Sequence, residues 1–399
     1  MLATLDTHSW SISICFAPVM SQLEFKLMMT PTCHLNVPPI LGDFVQAFCQ
    51  SSLPVHEQYI YKPPLGCKIA PPNTYLRLLK TLYGLIRSPR HWYETVNKAL
   101  INVGLMPCAN TPCLYSGTLI KGKSPIYLGM YVDDFIYFSQ DKEVEQKFEN
   151  TLKLLLYVEF SGFPQYFLGL KVKIQNHNKI PNIFLSQQLP SLEFIDRVGL
   201  SNISATSNAT PYYAGFPVDK IKEDITLPAH VKQKVEDDLR SYVGYLNWLS
   251  ISTRSYLSTI TNILSKYLHK ATPSHIAATK YAIKYLKGST NFSIMFSSEH
   301  QMNLEAFIKF PTNPRVLVSF SDTNRGPQDA SVPKSHTNPS SLPLFKTRSI
   351  SRYLIWLGGP IYWQSKRHTI TAHSTTEAEV YATNECTKNY CIYAIYSKT

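Results

Sequence analysis

The segment Ile126-Tyr-Leu-Gly-Met-Tyr-Val-Asp-Asp-Phe-Ile-Tyr-Phe-Ser139 constrains this chain more than any other. Two apolar, aromatic and β-branched runs flank a pair of acids, the pattern of a β-hairpin with Asp133-Asp134 at the turn. Asp is common in turns because its carboxylate accepts from nearby backbone amides, so adjacent acids alone say little. Here they interrupt strands apolar enough to be largely buried, where two ionised carboxylates repel each other and lose solvation. A hard dication bound through oxygen resolves that conflict, and Mg²⁺ favours one or two carboxylates completed by substrate phosphates. A third acid, Asp43, ends another short apolar strand that runs into a turn or helix by Phe48. Three such carboxylates can hold two metals about 4 Å apart, one activating an attacking hydroxyl and one stabilising a leaving pyrophosphate.

The surroundings alternate strands and helices. A helix is expected from Pro18 to Met29, and five prolines between 53 and 74 indicate an extended connection. Trp92, Val96 and Leu100 recur at four-residue steps in a helix over Arg90–Val103, and Lys142–Leu156 is amphipathic. A second hairpin is expected across Tyr166–Ile174 and Ile180–Leu185, turning at Gln175–Asn178, and residues 203–230 read as a linker. Three helices follow, through Val235–Leu249, Thr259–His269 and Ser274–Leu286. A final α/β unit starts at Val316–Asp322, continues in a strand pair around 352–371 and ends in a helix from Thr375.

At 399 residues the chain should hold two or three domains. Its net charge of +12 favours a polyanionic partner, since Lys and Arg neutralise phosphates and release counterions. The 25 Tyr and 19 Phe suit strands and flat packing or stacking surfaces. Cys108/Cys113 and Cys386/Cys391 share a spacing but lack further ligands at zinc-site distance, so reduced thiols are expected. There is no secretion signal and no apolar run near the roughly 20 residues of a membrane helix, so a soluble intracellular chain is expected.

Tyr131-Val-Asp-Asp134 resembles the Y-x-D-D signature of reverse transcriptases, and the wider pattern resembles the Pol polyprotein of copia-type LTR retrotransposons. Gly42-Asp-Phe-Val-Gln-Ala-Phe48 is similar to that family's D-V-x-x-A-F-L block, and Leu78–Tyr93 to its L-K-x-S-L-Y-G-L-K-Q-A-P-R-x-W-Y block. Tyr166-Phe-Leu-Gly-Leu170 and Leu185-Ser-Gln187 resemble two more in the same order. Downstream, Arg240–Leu246 and Lys284–Ser289 resemble the family's blocks between polymerase and nuclease, and Ser321-Asp322, Trp363-Gln-Ser-Lys366 and Ser374–Glu379 resemble the opening half of an RNase H domain.

The resemblance implies an α+β fold: a right-hand polymerase of palm, fingers and thumb with an antiparallel palm sheet, a helical connection and a partial RNase H-like α/β unit. The implied boundaries are 1–200 for fingers and palm, 201–310 for linker and thumb or connection, and 311–399 for the start of RNase H. It implies Asp43, Asp133 and Asp134 as catalytic ligands of Mg²⁺ or Mn²⁺, and Phe48 as a steric gate against a ribose 2′-hydroxyl. Tyr83, Gly84, Tyr131 and Arg87 would line the nucleotide and template, although Arg87 reads equally as a solvated surface group. Trp92 and Tyr93 read as core rather than base-stacking platforms. In the RNase H-like part Asp322 and Glu379 would hold metal, with Glu377 the runner-up to Glu379; an acidic first helical turn accounts for both glutamates without metal. The implied substrates are an RNA or DNA template-primer and dNTPs, without membrane, in a cytoplasmic virus-like particle or the nucleus. An oligomer or further polyprotein segments are compatible with the pattern.

Several positions depart from it. Lys26 is the only Lys or Arg among residues 1–42, where the family carries a basic fingers segment, so truncated fingers are expected. Ile86 replaces a Lys, Asp322 precedes Thr-Asn rather than Ala-Asp-Trp, and Arg254-Ser-Tyr256 stands for Arg-Pro-Asp. The chain stops before the later RNase H strands and acids. Three readings therefore stand: an RNA-directed DNA polymerase, a degenerate remnant that binds nucleic acid without polymerase or RNase H activity, and a general basic nucleic-acid-binding protein. The last leaves the apolar frame around Asp133-Asp134 unexplained.

Overall fold

The structure, a computed structural model, describes residues 15–63, 66, 71, 74–177, 180–202, 209–212, 228–298, 317–324, 349–369, 372 and 374–396. It is a mixed α/β protein whose sheets are antiparallel. Contacts divide it into two compact units, Met1–Pro164 and Gln165–Thr399.

The first unit opens with α1 (Gln22–Leu35), β1 (Ile40–Phe44), α2 (Ala47–Gln50), β2 (Ile60–Tyr61) and β3 (Leu76–Arg77). It continues through α3 (Ser88–Val103), β4 (Met106–Cys108), β5 (Thr111–Gly117), β6 (Ile126–Tyr131) and β7 (Asp134–Ser139) to α4 (Lys142–Leu155) and β8 (Val158–Gly162). Helix α1 starts four residues after Pro18 because Ser21 and Glu24 form a capping box, and it runs past Met29 through Pro31 to Asn36 in the left-handed region. Strands β4-β5-β6-β7-β1-β8 form one sheet in that order. Its alternation sends Phe44, Phe135 and Tyr137 into a core with Trp92, Val96 and Leu100 of α3 and Val144, Phe148 and Leu152 of α4. The expected 126–139 hairpin is present, with Tyr131 opposite Asp134, so Val132 and Asp133 make the turn and Asp134 opens the strand.

The second unit holds β9 (Tyr166–Phe167), β10 (Leu170–His177), β11 (Ile180–Ser186) and α5 (Gln188–Arg197). The expected Tyr166–Ile174 strand is broken at Leu168-Gly169, whose φ values of 50° and 73° make a two-residue hairpin turn with the twist that strands favour. Asn178 of the expected later turn, and 203–208 and 213–227 of the expected linker, lie outside the described residues. Helices α6 (Ala229–Ser252), α7 (Ser258–Leu264) and α8 (Pro273–Gly288) share a core of Leu239, Val243, Leu246, Ile260, Ala282 and Ile283. Helix α7 is shorter than the expected 259–269 because single 3₁₀ turns, Ser255–Leu257 and Ser265–Tyr267, flank it. Strand β12 (Ile294–Phe296) then joins β11. Strands β13 (Val318–Asn324), β14 (Ile350–Trp356) and β15 (Pro360–Arg367) form a separate sheet, against which α9 (Thr375–Tyr396) packs. Trp363 of β15 donates its indole N–H to the Ser250 carbonyl of α6 at 2.6 Å, which ties this sheet to the helices. No helix among the described residues is long and apolar enough to cross a membrane.

Arg254 is fully buried and donates to the Ser289 and Thr290 carbonyls at 2.6 and 2.7 Å, closing the end of α8. Where the family pattern has Asp, the Tyr256 hydroxyl stands 3.5 Å from the guanidinium and pairs with Ser289 Oγ at 2.8 Å. Arg254→Met keeps the bulk but removes both bonds, leaving the Ser289 carbonyl only its bond from the Phe292 amide at 3.0 Å and taking the guanidinium donor from the Thr290 carbonyl. It should destabilise the second unit by about 2–3 kcal/mol, measured by denaturant unfolding, because bonds from a charged donor contribute more than typical ones.

Candidate metal and nucleotide site

Register assembles the acids. Asp43 on β1 lies opposite Asp134 on β7 and, across its other edge, opposite Glu159 on β8. Tyr131 on β6 lies opposite Asp134, so Glu159, Asp43, Asp134 and Tyr131 form one row on one face. Directly opposed residues have Cβ atoms about 4.5–5.5 Å apart, which lets Asp43 and Asp134 share a pair of metals about 4 Å apart. Glu159 was not read from the sequence, because nothing local marks an exposed acid as the neighbour of one 116 positions earlier.

Asp133 sits in the turn after Val132, whose φ of 57° is rare for a β-branched residue. The turn is held by Trp92 Nε1, which donates to the Val132 carbonyl at 2.6 Å, and by the Phe44 amide, which donates to the Asp133 carbonyl at 2.8 Å. Trp92 is 2% exposed. The carboxylates act on one another: burial first, then the charges of Asp133 and Asp43, push Asp134 up to about 6. Asp43 is raised by burial, then by Asp133 and Glu159. Among the described residues no three His, Cys, Asp or Glu side chains close on a common point as a preformed metal cage. An oxygen-only set in which burial and neighbouring charge raise Asp43 and Asp134 nonetheless suits a dication that draws its remaining ligands from substrate phosphates.

Phe48, on α2, packs its ring against Tyr83 with centroids 4.6 Å apart. The Thr81 hydroxyl donates to the Phe48 carbonyl and fixes the pair's backbone. Burial and the charges of Asp133, Cys49 and Asp43 raise the Tyr83 phenol, so Tyr83 stands within reach of the acids' field. Gly84, at φ 97°, takes a conformation that side chains resist. Arg87 is an exception among the expected substrate residues: its guanidinium pairs with buried Glu57, which His91 Nε2 also meets at 3.0 Å. Lys26 is also placed away from solvent, 2% exposed in α1, where burial lowers its ammonium to about 7.

In the second unit Asp322 lies opposite Arg352, with Oδ2 3.8 Å from Nη1. These two, with Phe320, Trp363 and Ser365, line a cleft of ≈ 250 Å³ beside α7. Glu379 is exposed on α9, and the Glu377 amide donates to Ser374 Oγ at 3.0 Å.

The row of strand-borne carboxylates, the acid turn and the aromatic pair all fall within the residues that a family model matches. The family model described as Reverse transcriptase (RNA-dependent DNA polymerase) matches residues 10–212, and the chain belongs to that family. It is similar to the Retrovirus-related Pol polyproteins from transposons RE1 and RE2 of Arabidopsis thaliana, at 27% and 28% identity over 91% of this chain. It is also 25% identical, over 94% of this chain, to the Retrovirus-related Pol polyprotein from transposon TNT 1-94 of Nicotiana tabacum. The copia-type resemblance in the motifs is thereby borne out. The chain spans 22% of the length of the RE1 and RE2 relatives and 26% of the third.

Proposed function

We propose that this chain is the RNA-directed DNA polymerase segment of a retrotransposon Pol polyprotein, joining dNTPs to a primer 3′-hydroxyl on an RNA or DNA template. The observation that carries it is the register pairing of Asp43 with Asp134, with Asp133 held in the adjoining turn. The family generally uses divalent metal ions. Asp43, Asp133 and Asp134 would hold Mg²⁺ or Mn²⁺, which when bound neutralises developing charge on the attacking and leaving oxygens. The Phe48 ring, backed by Tyr83, would restrict the sugar edge and reject a 2′-hydroxyl by bulk. Tyr131 and Gly84 would leave room for template and primer at the open end of the acid row. The six-stranded sheet would be the palm and β2–β3 part of the fingers. The helices α6–α8 would be the thumb or connection, and β13–β15 with α9 the start of an RNase H-like unit, with Asp322 and Glu379 as its first acids. The net charge of +12 suits the template-primer backbone. The setting would be a cytoplasmic particle or the nucleus.

Extension of an oligo(dT) primer on poly(rA) with Mg²⁺ or Mn²⁺ tests this directly. The unmutated chain is expected to extend and Asp133→Asn to be inactive. A second reading, nucleic-acid binding without polymerisation, draws on the burial of Lys26 and the engagement of Arg87 with Glu57, which leave neither cation facing a triphosphate. Under it, the unmutated chain retains the primer-template in a filter-binding assay but extends nothing.

A further inference from the structure

We infer that Trp92 is a positioning residue of the acid centre, its indole N–H fixing Asp133 and Asp134 by holding the Val132 carbonyl. The catalytic consequence rests on the polymerase reading; the structural claim does not. Val132 occupies the left-handed region with a branched side chain that resists it, and no Gly or Asn at the first turn position makes that conformation easy. A hold from outside the hairpin is therefore required. The Trp92 bond to the Val132 carbonyl, at 2.6 Å, supplies it from a rigid ring with no room to swing. The same ring meets Phe44 edge-on, with centroids 5.1 Å apart, and the Phe44 amide holds the next carbonyl of the turn. Phe44 follows Asp43. One indole thus sets the hairpin acids and the strand acid against a common reference.

Trp92→Phe separates this role from core packing, because it keeps a buried ring and removes only the donor and part of the bulk. Hydrogen exchange of the full chain is measured first, over the Tyr131–Phe135 peptide. Exchange there is expected to quicken about tenfold, the loss of one net hydrogen bond, with α3 unchanged. In primer extension, kcat should fall about tenfold while KM for primer-template holds, since a hydrogen bond of this size is lost only to the turn. Adding Val132→Gly should restore both readings, because glycine takes the left-handed region without strain. Unchanged exchange at the turn overturns the inference. So does quickened exchange spread through α3 with no rescue by Val132→Gly, the result of a packing role alone. Should the unmutated chain extend no primer, the polymerase reading fails, while the exchange and its rescue still decide whether Trp92 holds the turn.

Discussion

Asp134→Asn is expected to stabilise the first unit at pH 7.5 while cutting primer extension by about 10²–10³-fold or more, the scale set by removing one electrostatic element from an active site. Both effects have one cause. Burial and the charges of Asp133 and Asp43 push the Asp134 carboxyl up to about 6. In the unfolded chain it ionises near 3.9. Between those values the folded protein binds more protons than the unfolded one, so stability falls as pH rises. The penalty is absent below about pH 4 and complete above about pH 6. Because the group is only half-buried, solvent screening reduces the penalty to about 1–2 kcal/mol. Unfolding midpoints at pH 4 and 7.5 should show the Asn variant gaining only at the higher pH. Mg²⁺ should raise the midpoint of the unmutated chain and do less for the variant, as binding to the folded state alone requires. A variant less stable than its parent at pH 7.5 would show that the acids do not repel, and full extension by it would remove Asp134 from the site.

Gly42→Ala should cost about 3 kcal/mol and most of the extension activity, although it adds one methyl. A Cβ at Gly42 would stand 2.2 Å from Phe135 Cζ and 2.6 Å from both Cε atoms. That ring is fully buried among Phe44, Tyr137, Phe148 and Phe160 and has no vacant direction to take. Relief must come from the backbone, by parting β1 from β7, and the next pair in that register is Asp43 with Asp134. Gly129→Ala is the control. Its Cβ would meet Met28 Sδ at 2.3 Å and Met20 Sδ at 2.6 Å, the ends of flexible side chains that can move aside. Its cost should stay under about 1.5 kcal/mol, with extension largely kept. Equal losses for the two, by denaturant unfolding and primer extension, would mean that the Phe135 ring is not what fixes the register.

The 126–139 hairpin was legible because its signals are local: two short apolar, aromatic and β-branched runs with acids between them where a turn must fall. The helix carrying Trp92, Val96 and Leu100 was legible for the same reason, a face repeating every four residues. Less was legible where two local signals compete. Pro18 looks like a helix start, yet Ser21 with Glu24 offers two satisfied amides and sets the boundary. The Tyr166–Ile174 run looks like one strand by composition, yet Leu168-Gly169 turns it. Arg87 reads equally as a phosphate ligand or a solvated surface group until Glu57, 30 positions earlier, is brought beside it.

The residue types at Asp43, Asp133, Asp134 and Phe48, and the family they mark, were determined by the sequence alone, because side-chain chemistry and short-range spacing are written there. The tertiary structure decided which acids face one another, that Glu159 joins their row, and that Trp92 bonds to the turn. Those follow from strand register and helix packing between segments far apart in the chain. Such pairings depend on how whole faces bury together, which no short stretch of sequence specifies.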